Sequence, residues 1–326
     1  MIVDFQHHYS PRELFADDLG DKKVVQYDER GVPKANVHSL LYDLDEHIRM
    51  MDMAGIDVAV LTSPHGMRAD LAGARFINDK MREAVDAYRG RFVALGHAHP
   101  LDGAGGMREI ARCADELGFP GVIIQSELGG HCVDDPEFAP FWDEVSRRGL
   151  YVFIHPVLDA PFLKIYDADD LSRGLGREIS LIATTVRLIN GGVLDRHEGL
   201  VVHMAHLGGG IAALLGRLRS YQDKAFWATE GNARHGRLPE FDMDHNLDER
   251  LVFDTAGFAG SLSSVRNALT ELSASRIVLG TDYPQEIRAA EHVRDFVEDI
   301  RSLGADGEAI LGGNVGLLLP AVRRAA

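Results

Sequence analysis

The sequence predicts an α/β fold, a (β/α)8 barrel, and three observations lead to that prediction. Eight short apolar runs, rich in Val, Ile and Phe, alternate with segments of helical periodicity. Several of the runs are unbroken, as expected of parallel strands that are covered on both faces. The length of 326 residues is ordinary for a barrel that forms one unit. We therefore expect a single domain over residues 1–326.

The predicted strands and helices follow one another in regular order. The strand candidates are IVDF, VAVLTSP, RFVALGHAHP, FPGVIIQSE, LYVFIHP, LVVHMAH, LVFDTAG and RIVLGTDYP. Helical patterns lie between them, for example DLDEHIRMMDMAG and DPEFAPFWDEVSRRG. Gly55 and Gly149 follow the last periodic residue of these two helices, where glycine commonly ends a helix. Pro136 is suited to open the second of them.

Two long insertions interrupt this order. One runs from about Ser10 to Ser39 after the first strand, and the other from about Gly208 to Arg250 after the sixth. Both follow strands, so we expect them on the face where barrel active sites are built. The second contains the polar stretch TEGNARHGRLPEFDMDHNLDER, which predicts a lid or a subunit contact rather than core.

Composition excludes several classes of partner. The chain is 45% hydrophobic and 26% charged, with a formal net charge of −16. An acidic surface repels nucleic acid and anionic membranes, so we expect neither as a partner. No apolar stretch is long enough for a membrane span. Cys113 and Cys132 are the only cysteines, and with no signal-peptide pattern we expect them to be reduced packing residues in a cytoplasmic protein.

Polar side chains of metal-binding type stand where the predicted strands end. Alternation along the first strand predicts that Asp4, Gln6 and His8 share one face while His7 points the other way. A single strand histidine is more often a hydrogen-bonded core residue than a ligand. Imidazoles and carboxylates at the same end of several strands instead suit zinc, manganese or iron. These strand-end residues are Gln6, His8, His97, His99, His155, His206 and Asp282.

The order of short motifs resembles the amidohydrolase superfamily. The motifs are DFQHHYSP, FIHP, HLGGG, DTAG, LGTDYP and GGNVGLLL, and they span nearly the whole chain. The resemblance is greatest to the branch that contains α-amino-β-carboxymuconate-semialdehyde decarboxylase, γ-resorcylate decarboxylase and 4-oxalomesaconate hydratase. It implies a distorted barrel, a homodimer and one divalent metal ion at the strand ends.

The resemblance also assigns residues to that metal site. His8, His155 and Asp282 match metal ligands, and His206 matches the histidine that acts on substrate or water beside the metal. Gln6 stands at a ligand position where the family usually has histidine. An amide oxygen there favours manganese, iron or magnesium over zinc.

The role of Gln6 is open at this stage. Gln6 binds the ion through its oxygen, or it contacts a metal-bound water, or the site holds no metal, as in the similar 2-pyrone-4,6-dicarboxylate lactonase. A second metal recruited by His97, His99 or Glu127 is a fourth alternative.

The leading functional prediction is a metal-dependent decarboxylase of a small cyclic or aromatic carboxylate, with Asp282 as the proton shuttle. The alternative is a hydrolase or hydratase that uses metal-activated water. A third reading is a metal-free or non-catalytic barrel. An anionic substrate needs cationic anchors, and the candidates are Arg177, Arg234 and Arg237, each of which could equally be a surface arginine.

Overall fold

The computed structural model describes residues 1–15, 19–20, 22–27, 29, 31, 33–158, 164–166, 168–222 and 239–319. Within these residues, eight parallel strands correspond one to one to the eight apolar runs. They are β1 Val3–His8, β2 Val58–Thr62, β3 Phe92–Ala94 continued by Gly96–His97, β4 Gly121–Gln125, β5 Tyr151–His155, β6 Val202–Met204, β7 Leu251–Asp254 and β8 Ile277–Val278. The α/β fold prediction is confirmed.

The strands close into a distorted barrel. One hydrogen-bonded arc contains β1, β2 and the first segment of β3, and the other runs from the second segment of β3 through β4, β5, β6 and β7 to β8. β3 is interrupted at Leu95, whose N–H donates to Leu61 O at 3.1 Å. At the other junction Phe5 N donates to Leu279 O at 2.8 Å, and His7 bridges to Tyr283. All residues of β1, β2, β4 and β5 are buried, as expected of strands covered on both faces.

Helices cover the outside of the barrel, and each long helix buries one largely apolar face. In the helix Ala290–Arg301, Val293, Phe296, Val297 and Ile300 are buried, at the spacing of one helical face. The other long helices are Leu44–Ala54, Leu71–Ala87, Gly103–Asp115, Ala139–Arg148 and Arg177–Asn190, and the short ones are Pro64–Arg68, Val193–Arg196, Leu215–Gln222, Met243–Glu249, Leu262–Ala268 and Ala305–Glu308. The segment His206–Gly210 after β6 is a left-handed turn. Among the described residues, every helix is too short or too polar to cross a membrane.

The predicted helix boundaries are confirmed. Gly55 (φ 70°) and Gly149 (φ 65°) adopt the left-handed conformation directly after the helices Leu44–Ala54 and Ala139–Arg148. Pro136 opens a 3₁₀ turn, Pro136–Phe138, that leads into the second of these helices.

The first insertion contains an antiparallel hairpin of Val24–Tyr27 and Pro33–Val37. It lies at the carboxyl ends of the strands, as predicted, because Gln285 Nε2, just after β8, donates to Asn36 O at 3.3 Å. Residues 229–238 of the polar stretch in the second insertion lie outside the described residues. The rest contains the helix Met243–Glu249, in which Met243, Asn246 and Leu247 are buried, so the prediction that this stretch avoids the core is wrong for that part.

The predicted alternation along β1 is wrong for Asp4. A bulge between Asp4 and His7 places one extra residue in β1 relative to β2. Asp4 and His7 therefore meet on the same side, with Asp4 Oδ2 2.9 Å from His7 Nδ1. His7 does point away from Gln6 and His8, but it is fully buried, and its Nε2 lies 2.9 Å from His47 Nδ1 of the helix Leu44–Ala54.

Candidate active site

A cavity of about 310 Å³ opens at the carboxyl ends of the barrel strands. His8, His155, His206 and Asp282 all line it, although they come from four different strand ends. Its outer wall comes from Ala35 and Asn36 of the hairpin and from the segment after β5 that includes residues 170–178. The fold thus brings together the predicted strand-end residues of β1, β5, β6 and β8.

Hydrogen bonds within the protein engage one ring nitrogen, Nδ1, of both His8 and His155. Thr62 donates its hydroxyl to His7 O at 3.3 Å, so its oxygen accepts from His8 Nδ1 at 2.8 Å. His155 Nδ1 donates to Pro156 O at 2.9 Å. Burial, together with the neighbouring His8, holds the pKa of His155 well below its usual value. In each ring Nδ1 is thereby engaged within the protein, and Nε2 is the nitrogen that remains for a metal.

Asp282 faces both His8 and His206 with different oxygens. Its Oδ1 lies 2.7 Å from His8 Nε2, and its Oδ2 lies 3.9 Å from His206 Nε2. Oδ1 is buried and has no hydrogen-bond partner. An imidazole nitrogen beside a carboxylate oxygen in a buried site is an arrangement that a cation stabilises. The donor set of His8, His155 and Asp282 therefore fits a divalent metal ion.

The charge balance around Asp282 keeps this carboxyl ionised. Burial raises its pKa, but His8, His206 and His155 lower it by more, and the pKa lies below its ordinary value. The ligand atoms of His8, His155 and Asp282 do not all lie within 4.8 Å of one another, whereas those of two other clusters do. Those two clusters, within the described residues, are His131–Asp135–Glu137 and Cys132–Asp134–Asp135.

His206 is held by a carboxylate that the sequence reasoning missed. Its Nδ1 lies 2.9 Å from Oε1 of Glu178, in the first turn of the helix Arg177–Asn190. Burial lowers the pKa of His206, but Glu178 and, to a smaller extent, Asp282 raise it to about 9. No local motif marks Glu178, because its partner is 28 residues away.

The backbone at the site is left-handed at both acid–base residues. His206 has φ 55° and Asp282 has φ 53°, which is uncommon for residues other than glycine, and such residues cluster at active sites. Gly257 makes room for the His206 ring, because a Cβ there would lie 2.2 Å from His206 Cγ. Gly257 of the motif DTAG therefore has to be glycine, because any larger side chain would clash with the ring of His206 in the motif HLGGG.

Gln6 spans from His206 to Asp254. Its amide orientation follows from the hydrogen-bond network. With its oxygen toward His206 it accepts from His206 Nε2 at 3.0 Å, and its NH₂ donates to Asp254 Oδ2 at 2.9 Å. Asp254 is fully buried and also accepts from His206 N at 3.0 Å and from His203 Nε2 at 2.8 Å.

His97 does not have the free lone pair that a second metal needs. Its Nε2 accepts from Ser63 N at 2.9 Å, and its Nδ1 lies 3.1 Å from Asn78 Oδ1. His99 Nδ1 lies 3.2 Å from Asp102 Oδ2. Within the described residues, the alternative in which His97 binds a second metal is wrong, because both of its ring nitrogens are already used.

Arg177 lines the cavity together with Arg68. Both donate to the carbonyl of Leu158, at 2.8 Å from Arg177 Nη2 and 3.3 Å from Arg68 Nη2. This shared carbonyl holds two guanidinium groups on one wall. Arg173 and Arg288 also line the cavity, which sequence reasoning missed. The other two predicted anchors, Arg234 and Arg237, lie outside the described residues.

A barrel whose strand ends carry three histidines and an aspartate around a small cavity defines a class of metal-dependent enzymes. The family model described as Amidohydrolase matches residues 3–314, so the chain belongs to the amidohydrolase family. The resemblance stated from the motifs is thereby confirmed.

Individual relatives agree over most of the chain. The γ-resorcylate decarboxylase of Polaromonas sp. (strain JS666 / ATCC BAA-500) is 25% identical over 335 aligned residues, which cover 96% of this chain and 96% of that protein. The 2-amino-3-carboxymuconate-6-semialdehyde decarboxylase of Dictyostelium discoideum is 27% identical over 293 residues, covering 85% and 77%. The structure of a dihydroxybenzoic acid decarboxylase from Polaromonas sp. JS666, with bound manganese and the inhibitor 2-nitroresorcinol, matches with a TM-score of 0.77 at 23% identity, covering 99% of this chain and 97% of that one.

Proposed function

We propose that the protein is a divalent-metal-dependent decarboxylase of a small aromatic carboxylate. The observation that carries the proposal is the meeting of His8, His155 and Asp282 beside His206 in a cavity whose wall holds Arg68 and Arg177. The names of the relatives support decarboxylation over hydrolysis, since those described above are decarboxylases. The cavity volume of about 310 Å³ suits a substrate of one ring.

His8, His155 and Asp282 would hold the metal. The manganese in the Polaromonas structure supports Mn²⁺ as the first ion to test. When bound, a divalent ion supplies a positive centre that polarises substrate oxygens. The donor set of two imidazoles and one carboxylate also accommodates zinc or iron.

The residues of the chain supply orientation and a proton. Arg177 and Arg68 attract an anionic substrate and orient it through charge-assisted hydrogen bonds. Asp282 is ionised at rest, so as a proton shuttle it first takes up a proton and then transfers it to the ring carbon that bears the carboxylate. The electron pair of the carbon–carboxylate bond then returns to the ring and CO₂ leaves. One proton is consumed for each CO₂, and Asp282 recovers it from solvent.

His206 assists the proton transfer from the Oδ2 side of Asp282, opposite His8. Its Nδ1 is engaged by Glu178 and its Nε2 faces Asp282 Oδ2 at 3.9 Å. It therefore presents positive charge to the carboxylate that is left when the proton has moved. Such charge stabilisation in a buried site is a large contribution to catalysis.

The test is the fate of the carboxyl carbon. The manganese-loaded protein is incubated in D₂O with three acids for which similar decarboxylases are named, 2,6-dihydroxybenzoate, 5-carboxyvanillate and 6-methylsalicylate, each labelled with ¹³C at the carboxyl group. We expect at least one substrate to release labelled CO₂ in equal amount to the product, with one deuterium at the ring carbon. Consumption of lactone or amide substrates without CO₂ release would instead identify a hydrolase and contradict the proposal.

The proposal also includes a homodimer of single-domain chains in the cytoplasm. Leu171, Leu175 and Ile179 are more than a third exposed and recur every four residues, a stripe that a second copy could cover. Cys113 and Cys132 are both unpaired, which suits a reducing compartment. Sedimentation equilibrium of the wild type and of Leu175→Asp tests the dimer: a monomeric wild type would contradict it.

A further inference from the structure

We propose that Gln6 is a positioning residue for His206 and not a ligand of the metal. The proposal rests on the metal site assigned above, and concerns the strand position where the family resemblance implies a ligand. Both ends of the Gln6 amide are already bonded within the protein, to His206 and to Asp254. The ion is then held by three side chains, those of His8, His155 and Asp282.

The orientation of the amide follows from the groups around it. Asp254 offers two carboxylate oxygens, at 2.9 and 3.2 Å from the Gln6 amide atom that faces them. If that atom were the oxygen, three acceptors would face one another in a buried site, which is costly. The NH₂ group therefore faces Asp254, and the oxygen faces His206 Nε2.

Gln6 completes a hydrogen-bonded chain through the site. The chain runs from Glu178 to His206, then through Gln6 to Asp254, and ends at His203 Nε2. His206 lies between two acceptors, the Glu178 carboxylate and the Gln6 oxygen, so it donates from both ring nitrogens. The ring is thus fixed in its plane, with Nε2 3.9 Å from Asp282 Oδ2.

An amide is the group that this position requires. A glutamate there would place a second carboxylate about 3 Å from that of Asp254, and both are buried. A hydrocarbon side chain would leave His206 Nε2 and Asp254 Oδ2 each without this partner. Glutamine alone among side chains of this length accepts from the imidazole and donates to the carboxylate.

The first experiment compares Gln6→Leu with His8→Ala by manganese titration calorimetry and by kinetics. We expect Gln6→Leu to bind one Mn²⁺ with unchanged affinity, while His8→Ala binds at least about tenfold more weakly. We expect kcat of Gln6→Leu to fall about tenfold, the value of one hydrogen bond, with KM unchanged. Loss of Mn²⁺ affinity equal to that of His8→Ala would make Gln6 a ligand, and an unchanged kcat would remove its positioning role.

The second experiment uses the metal-free protein, so it stands even if the proposed activity fails. Unfolding by urea in the presence of chelator is measured for Gln6→Leu, His206→Gln and the double variant. We expect the two losses of stability to be non-additive, because the residues share one hydrogen bond. Gln125→Leu is the matched control, since that buried amide bonds to Met67 O and Leu158 N and not to His206. The proposal would be overturned if the losses of stability from Gln6→Leu and His206→Gln simply added in the double variant, as we expect for Gln125→Leu combined with His206→Gln.

Discussion

Glu178 Oε1 lies 2.9 Å from His206 Nδ1, and this contact determines the charge of the imidazole in the site. Burial lowers the pKa of His206, yet Glu178 and Asp282 together raise it to about 9. The Glu178 side chain is 15% exposed, so solvent screens the pair only weakly. His206 is consequently a cation next to Asp282.

Replacing Glu178 with glutamine tests this relationship. The amide keeps a hydrogen-bond acceptor for His206 but removes the negative charge. We expect kcat to fall about 100-fold or more, the lower end of the range for loss of acid–base assistance. Glu144→Gln is the control, because Glu144 has a similar exposure, 19%, and pairs with Arg147 and Arg148 on the surface. A Glu178→Gln enzyme as active as the control would exclude the carboxylate from the reaction.

Arg177→Met tests the anchoring of the substrate. Methionine preserves part of the apolar stem and removes the guanidinium group that lines the cavity. We expect KM to rise about tenfold or more, since a hydrogen bond to a charged group contributes roughly 1.5–3 kcal/mol. Arg147→Met on an exposed helix face is the control and should leave KM unchanged. An unaltered KM in Arg177→Met would assign substrate binding to other cations of the cavity.

Asp282→Asn tests whether Asp282 transfers the proton to the substrate. The amide is nearly isosteric but does not supply a proton at neutral pH and is a weaker metal ligand. We expect turnover to disappear while the circular dichroism spectrum is unchanged. Asp102→Asn, at a loop after β3, should retain full activity. Measurable turnover in Asp282→Asn, above the level of a blank preparation, would remove this residue from the proton transfer.

His97 makes stability depend on pH. Burial lowers its pKa to about 3, so the folded protein keeps it neutral. The unfolded chain binds a proton on histidine below about pH 6.5. The contribution of His97 is therefore complete above pH 6.5 and is lost as the pH falls toward 3, by about 1.4 kcal/mol per pH unit.

The check is urea unfolding of wild type and His97→Gln at pH 7, 6 and 5. Glutamine retains an acceptor for Ser63 N but does not titrate. We expect the free energy of unfolding of the variant to fall less steeply below pH 6.5. Parallel curves for the two proteins would show that His97 is not held neutral.

Much of the site was predictable because parallel strands bring their carboxyl ends together. His8, His155, His206 and Asp282 each end an apolar run, so their meeting follows from the barrel alone. Glu178 and Arg68 were not predictable, since each acts across a distance in sequence and neither ends a strand. The face of Asp4 was predicted wrongly because a bulge, which has no clear mark in DFQHHY, changes the alternation.

The role of Gln6 could not be predicted from the sequence, for a different reason. Its position in the motif is the same whether its oxygen faces a metal or His206. Only the nearness of Asp254, contributed by a strand about 250 residues later, distinguishes the two. The sequence predicts which side chains meet in a barrel, whereas the direction of an amide depends on all of its neighbours.

The most direct measurement of the central claim is a titration of chelator-treated protein with Mn²⁺, followed by CO₂ release from the best substrate. The account predicts no activity without metal, and a rise with added Mn²⁺ that stops at one ion per chain. Full activity of the chelator-treated protein would contradict it, as would a rise that continues to two ions per chain.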